Sequence, residues 1–269
     1  MTPAAGASGA RALKDPDWLV PDWAVERVGA LMTTRHGGVS TGPFASFNLR
    51  AAIGDDPSAV AANQRRLAEV IGATPMWLNQ VHGARVVRLT AADARGDARL
   101  HAADACITTE PGVACCVQVA DCLPVLFAAA DGRAVGAAHA GWRGLAAGVL
   151  EATLAALTQA AECAPGDVQA WMGPCIGPTR FEVGPEVLEA FGVAPLTNSS
   201  GRFTPAARGK WWADLPALAT DRLRAAGVRA ISGGSWCTAS DVSRFFSFRR
   251  DRISGRMAAA VWIENDRLG

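Results

Sequence analysis

Apolar runs of strand length recur along most of the chain, each closed by Gly, Pro or a polar turn. They fall at residues 28–35, 76–81, 85–89, 105–109, 114–120, 124–130, 134–139, 168–172, 245–249 and 257–263. Asp131-Gly132 between two of them is a hairpin-type turn signal. Helical segments are fewer and better marked. Asp56-Pro57 reads as an N-cap followed by proline at the first helical position, with Val60, Leu67 and Ile71 on one face and Gly72 as the stop. A second helix is predicted over 144–161, burying Leu145, Val149, Leu154 and Leu157. A short third one follows Gly184-Pro185, and a fourth starts near Asp214, carries Leu215, Leu218 and Leu223, and ends at Gly227. The stretch 195–209 is rich in Ser, Gly and Pro and reads as a loop. With no internal repeat and no low-complexity linker, the expectation is a single α/β domain over residues 21–269 behind a flexible lead-in at 1–20.

Composition narrows the function class. At 269 residues, 50% apolar and 19% charged, the chain can bury a substantial core. A net charge of +1, with no Lys/Arg cluster interleaved with aromatics, argues against nucleic-acid or acidic-membrane partners and leaves small molecules. No stretch reaches the roughly 18 uncharged apolar residues of a membrane span, and the N-terminus lacks the basic and apolar regions of a signal peptide. Seven cysteines is an odd number, and Cys106, Cys115 and Cys116 lie inside apolar runs. A reducing cytoplasm follows as the expected setting. A monomer or small homo-oligomer is expected.

Chemistry concentrates where strand-like runs meet polar turns. Three motifs read Asn79-Gln80-Val81-His82-Gly83, Ala120-Asp121-Cys122-Leu123-Pro124 and His139-Ala140-Gly141-Trp142-Arg143-Gly144. They offer two imidazoles and a thiolate, a ligand set suited to zinc or copper that leaves a fourth position open. The spacing is too long for a zinc finger, so only a folded core can assemble these groups. Each has a plainer reading: His82 as a satisfied core histidine, Cys122 as an inert thiol. Arg143 and Gly144 open the predicted second helix, whose backbone amides suit phosphate, or else form an ordinary turn with a solvated arginine. Arg35, in Thr33-Thr34-Arg35-His36-Gly37-Gly38, is an anion clamp or a surface ion pair. Asn79 joins Arg35, Arg143 and Gly144 as a substrate-binding candidate. Asp121, beside a ligand, is a proton carrier or an orienter of a ligating histidine. Cys175, in the rigid turn Gly173-Pro174-Cys175-Ile176-Gly177, reads as structural, and His101 as exposed. Arg249 is placed on a closing strand.

Taken in order, the motifs at 33–40, 80–82, 120–126, 139–144, 173–177 and 245–251 resemble the YfiH-like, laccase-domain family over about residues 23–265. Phe44 and Phe248 depart from the tyrosines often found in that family. The resemblance implies a layered α/β/β/α sandwich with mixed sheets and a metal site at His82, Cys122 and His139. It also implies phosphorolysis of adenosine, inosine, guanosine and methylthioadenosine, with adenosine deamination as a side activity. Zinc is the expected metal, with copper as a possible substitute. Two other activities remain open: a Cys122/His139 amidohydrolase that edits cell-wall precursors, and a weak polyphenol oxidase. The second would need several copper sites, whereas the chain has 4 histidines. A partner-binding protein with a vestigial site is the non-enzymatic alternative.

Overall fold

The computed structural model describes residues 17–23, 25–95, 100–195, 201–207 and 209–265. In chain order these form β1 (Val28–Met32), α1 (Pro57–Ile71), β2 (Thr74–Met76), β3 (Val86–Leu89), β4 (Ala105–Thr108), β5 (Val113–Val119), β6 (Leu123–Ala129) and β7 (Val135–Ala140). There follow α2 (Trp142–Ala146), α3 (Val149–Ala161), β8 (Val168–Met172), β9 (Glu182–Val183), α4 (Pro185–Ala190), β10 (Phe203–Pro205), β11 (Trp211–Ala213), α5 (Leu215–Ala225), β12 (Ala230–Gly233), α6 (Phe248–Asp251) and β13 (Met257–Ile263).

A six-stranded mixed sheet runs β12-β8-β6-β7-β4-β3, and a four-stranded one runs β1-β13-β5-β2. Their strands are buried along their central runs because both faces of each sheet are covered. Between the sheets, Val117 and Val119 of β5 and Ala259 and Val261 of β13 meet Cys106, Leu126 and Ala137. The outer face of the larger sheet packs Val125 and Phe127 against Leu150, Leu154 and Leu157 of α3 and Leu218 and Leu223 of α5. The outer face of the smaller sheet packs Leu31, Cys116 and Ala260 against Leu67 and Ile71 of α1. The layers are therefore helix, sheet, sheet, helix, as expected. A small third sheet, β10-β11-β9, lies outside this order.

Helix α1 matches its signals: Asp56 caps it through Ser58 N–H, and Gly72 ends it at φ 64°. Elsewhere the chain departs from its pattern. The strand expected at 245–249 is not one. Ser247 Oγ accepts the Arg250 N–H at 3.2 Å and caps α6, so an N-capped turn replaces the ladder. The helix expected at 144–161 starts earlier, at Trp142, and breaks at Gly148, whose φ is 90°. The strand expected at 76–81 stops at Met76. Beyond it, Gln80 substitutes for a ladder: its Nε2 donates to Gln118 O and its Oε1 accepts from Gln118 N, each at 2.8 Å. Within the expected loop at 195–209, residues 203–205 form β10, while 196–200 and 208 lie outside the described residues. Most of the expected lead-in also lies outside them. Its described end departs from the expected flexibility: Trp18 is buried with its ring tilted against Phe47 at 5.2 Å, and Leu19 pairs with Met32. No helix among the described residues is long and apolar enough to cross a membrane.

Phe127 is fully buried on β6, between sheet and helices. Replacing it with alanine should remove about 3–5 kcal/mol of stability through lost burial and a cavity. Denaturant unfolding checks this: the midpoint should fall with an unchanged slope.

Candidate metal centre

One buried carboxylate organises the site. Asp104 directly precedes β4 and has no exposed surface. Its Oδ2 accepts the N–H of Val81 at 3.1 Å and of Gly83 at 2.7 Å, and its Oδ1 accepts the N–H of His82 at 2.9 Å. The same Oδ1 meets His139 Nδ1 at 2.8 Å, and the Asp104 carbonyl accepts His139 N–H at 2.7 Å. Burial alone would raise the Asp104 pKa, but the bonds from His139, Gly83 and His82 hold it below the usual carboxylate range.

His82 adopts a left-handed backbone, with φ 61°, because three consecutive amides must turn toward one acceptor. His139 is buried on β7, and with Nδ1 engaged by Asp104 its Nε2 is the nitrogen left for the centre. Cys122 sits where the chain leaves β5 in one sheet and enters β6 in the other. Its Sγ lies 3.9 Å from His82 Nε2, and the donor atoms of His82, Cys122 and His139 all lie within 4.8 Å of one another. The two imidazole rings meet edge to face at 4.9 Å. His82 is exposed, Cys122 half-buried and His139 buried, so the cluster opens on one side.

Two glycines permit this approach. A Cβ on Gly141 would stand 3.0 Å from Cys122 Sγ and 3.1 Å from His82 Cδ2. One on Gly144 would stand 2.8 Å from the Gly83 carbonyl, so the turn after His139 rests directly on the turn after His82.

Cys122 and His139 shift each other. Burial would raise the Cys122 thiol, but His139 and His82 outweigh it and bring it down to about 6. Burial would lower His139, yet the Cys122 thiolate and Asp104 push it up to about 9. The direction of both shifts favours a thiolate on Cys122 beside an imidazolium on His139. Two imidazole nitrogens and one thiolate, with Asp104 fixing the ring of His139, fit the donor chemistry of a divalent metal such as zinc.

The remaining candidates are spread around this cluster. Asp121 has φ 100°, and its Oδ1 accepts from Thr238 Oγ1 and its Oδ2 from Arg249 N, both at 2.6 Å. Its carboxylate thus holds two neighbouring loops, while the carboxylate that touches a ligand histidine is Asp104. Arg143 is exposed, with its guanidinium 4.3 Å over the Trp142 ring. Asn79 is exposed, and its backbone pairs with His101 and Ala103. Arg35 donates from Nε to Ala45 O and from Nη1 to Val242 O, each at 3.1 Å, and lies over Phe246. Cys175 is fully buried. His101 is not simply exposed: its Nε2 lies 3.4 Å from Asp93 Oδ1. Arg249 spans to Glu182 O at 3.0 Å. Sequence reasoning missed Asp104. Its signal was a lone carboxylate set among small apolar residues just before the strand run Ala105-Cys106-Ile107.

Fold and site together define a layered α/β protein with a histidine–thiolate cluster, able to hold a metal, at the crossover between its two sheets. The profile of the family described as "Multi-copper polyphenol oxidoreductase laccase" matches residues 29–264, and the chain belongs to that family. The chain is 51% identical over 251 residues to a purine nucleoside phosphorylase of Pseudomonas aeruginosa, covering 92% of this chain and 99% of that one. It is 45% identical over 248 residues to the purine nucleoside phosphorylase YfiH of Escherichia coli K12, with 91% and 98% covered. Among solved structures, a Neisseria meningitidis protein superposes with TM-score 0.85 at 43% identity, over 93% of this chain and 100% of that one. YlmD from Geobacillus stearothermophilus gives 0.82 at 34% identity, over 89% and 93%.

Two variants probe the centre. Asp104→Asn removes the buried charge and leaves one acceptor oxygen where two serve now. Affinity for zinc, read by competition with a chromophoric chelator, should fall about 10–100-fold, and the melting temperature should drop with it. Gly141→Ala should lower the bound metal per chain while leaving far-UV circular dichroism unchanged. Full metal loading in that variant would place the ion elsewhere.

Proposed function

We propose that the protein is a zinc-dependent purine nucleoside phosphorylase acting on adenosine, inosine, guanosine and methylthioadenosine, with adenosine deamination as a side activity. The observation that carries this reading is the convergence of His82, Cys122 and His139 donor atoms within 4.8 Å beside the buried Asp104. The phosphorylase names of relatives up to 51% identical support it. A zinc ion held there would act as a Lewis acid with a coordination position open to substrate, and copper would bind the same donors.

In phosphorolysis an oxygen of hydrogen phosphate bonds to ribose C1′ as the C1′–N9 bond breaks. The bonding pair leaves with the purine, and the phosphate proton ends on the purine nitrogen. The chain's own task is to align the two reactants. Asp104 keeps His139 in one tautomer and both histidines in place. Arg143, four residues after His139, presents a guanidinium that among the described residues meets only the Trp142 ring face, and is assigned to substrate contact. Gly144 holds the turn beneath it. Asn79 is assigned to the substrate rim, and Arg35 to positioning the loop around Ala45. Asp121 acts by fixing the Cys122 crossover. The reading includes a cytoplasmic setting, which the seven free thiols suit.

The contact between Cys122 and His139 favours a second reading, a thiol amidohydrolase acting on cell-wall precursors. Metal content separates the two: stoichiometric zinc in protein purified without added metal supports the phosphorylase, whereas rapid alkylation of Cys122 in metal-free active protein supports the hydrolase. The decisive measurement is product identity. Adenosine with phosphate should give adenine and ribose-1-phosphate, and adenosine alone should give slow conversion to inosine. Cys122→Ser should reduce both, by about 100-fold or more, together with bound zinc. Unchanged adenosine in the wild type would overturn the reading.

A further inference from the structure

Arg50 and Arg256 are held side by side by one amide. Asn48 Oδ1 accepts the N–H of Arg50 at 3.1 Å and the N–H of Arg256 at 2.9 Å, and the Arg256 carbonyl accepts Leu49 N–H at 3.0 Å. Asn48 is itself fully buried and tied to Asp55 and Asn63, so this spacing is rigid. The Arg256 guanidinium turns back into the fold. Its Nη1 donates to Ser254 O at 2.7 Å and Gly255 O at 3.1 Å, and its plane lies 5.5 Å over Phe248. Among the described residues no carboxylate bonds to it. Arg50 is half-buried, and its guanidinium has no hydrogen bond or ion pair among the described residues.

Two neighbouring cations without a counter-ion repel each other. The effect is visible at Arg256, whose pKa is lowered first by burial and then by Arg50. The Cys122 and Asp121 charges act on Arg256 in the opposite sense, so Arg256 lies within electrostatic reach of the histidine–thiolate cluster. A chain of contacts agrees: Phe248, under Arg256, precedes Arg249, whose N–H donates a hydrogen bond to the carboxylate of Asp121, next to Cys122. Such a pair lacks only a tetrahedral dianion, whose oxygens take guanidinium donors pairwise.

We propose that Arg50 and Arg256 form the seat of the inorganic phosphate used at this centre. The proposal rests on the phosphorylase reading above and adds the site of its second substrate. Arg256 supplies a fixed charge from inside the fold, and Arg50 supplies free donors that close on the anion when it arrives.

The test uses zinc-loaded protein and inorganic phosphate. Binding is measured by titration calorimetry and phosphorolysis at varied phosphate, for the wild type, Arg50→Gln, Arg50→Lys and Arg143→Gln. Loss of one charge-assisted contact should raise both the phosphate Kd and the phosphate KM of Arg50→Gln about tenfold or more, with the nucleoside KM nearly unchanged. Arg50→Lys should recover part of the loss. Because the Arg50 side chain makes no hydrogen bond or ion pair among the described residues, Arg50→Gln should melt with the wild type, so the test stands even if Arg256 variants fail to fold. A phosphate Kd within twofold of wild type in Arg50→Gln overturns the seat, as does a wild type that binds no phosphate. Wild-type protein that binds phosphate through Arg50 yet cleaves no nucleoside refutes the phosphorylase reading and leaves the seat standing.

Discussion

The centre depends on a negative charge with no access to water. A buried carboxylate is costly unless it is fully paired, and Asp104 is paired by three successive amides and an imidazole. Those four donors cannot be satisfied unless the turn at 81–83, the start of β4 and the end of β7 stand in one arrangement. The histidines are therefore positioned by the need to neutralise Asp104, with no metal required to gather them. A metal arriving at such a site meets a formed half of its coordination shell.

The third donor comes from a different constraint. β5 belongs to the smaller sheet and β6 to the larger, so the chain must pass between layers at residues 120–122. The passage is clamped from three directions, by Thr238 and Arg249 on the Asp121 carboxylate and by Ile176 N–H on its carbonyl at 2.9 Å. The sulfur of Cys122 is thus set by the layering of the sheets, while the imidazoles are set by one carboxylate. The two systems meet at Gly141, where the absence of a side chain lets them touch.

The large features were legible because they follow from local rules. Continuous apolar runs gave the central strands, and Asp56 and Gly72 bounded α1 as caps do. The three metal-donor positions were legible because His and Cys are scarce and stood in turn motifs. What was not legible depends on distant partners. Nothing near Phe245 says that Arg249 N–H will be drawn to Asp121, which leaves a capped turn where a strand pattern stands. The short strands β9 to β11 exist only through one another. Arg50 and Arg256 are 206 positions apart by their numbers (256 − 50) and meet only on Asn48. Adjacency in sequence points to Asp121 as proton carrier or orienter of a ligating histidine, whereas the carboxylate that meets His139 in space is Asp104.

His82 and Asp121 share one further property: each holds a backbone angle that suits glycine better than a residue with a side chain. Such positions carry about 1–3 kcal/mol each of conformational penalty. A chain selected for robustness alone would place glycine at both and become harder to melt. That an imidazole and a carboxylate stand there instead marks the crossover as a spot where this molecule forgoes sturdiness for reactivity.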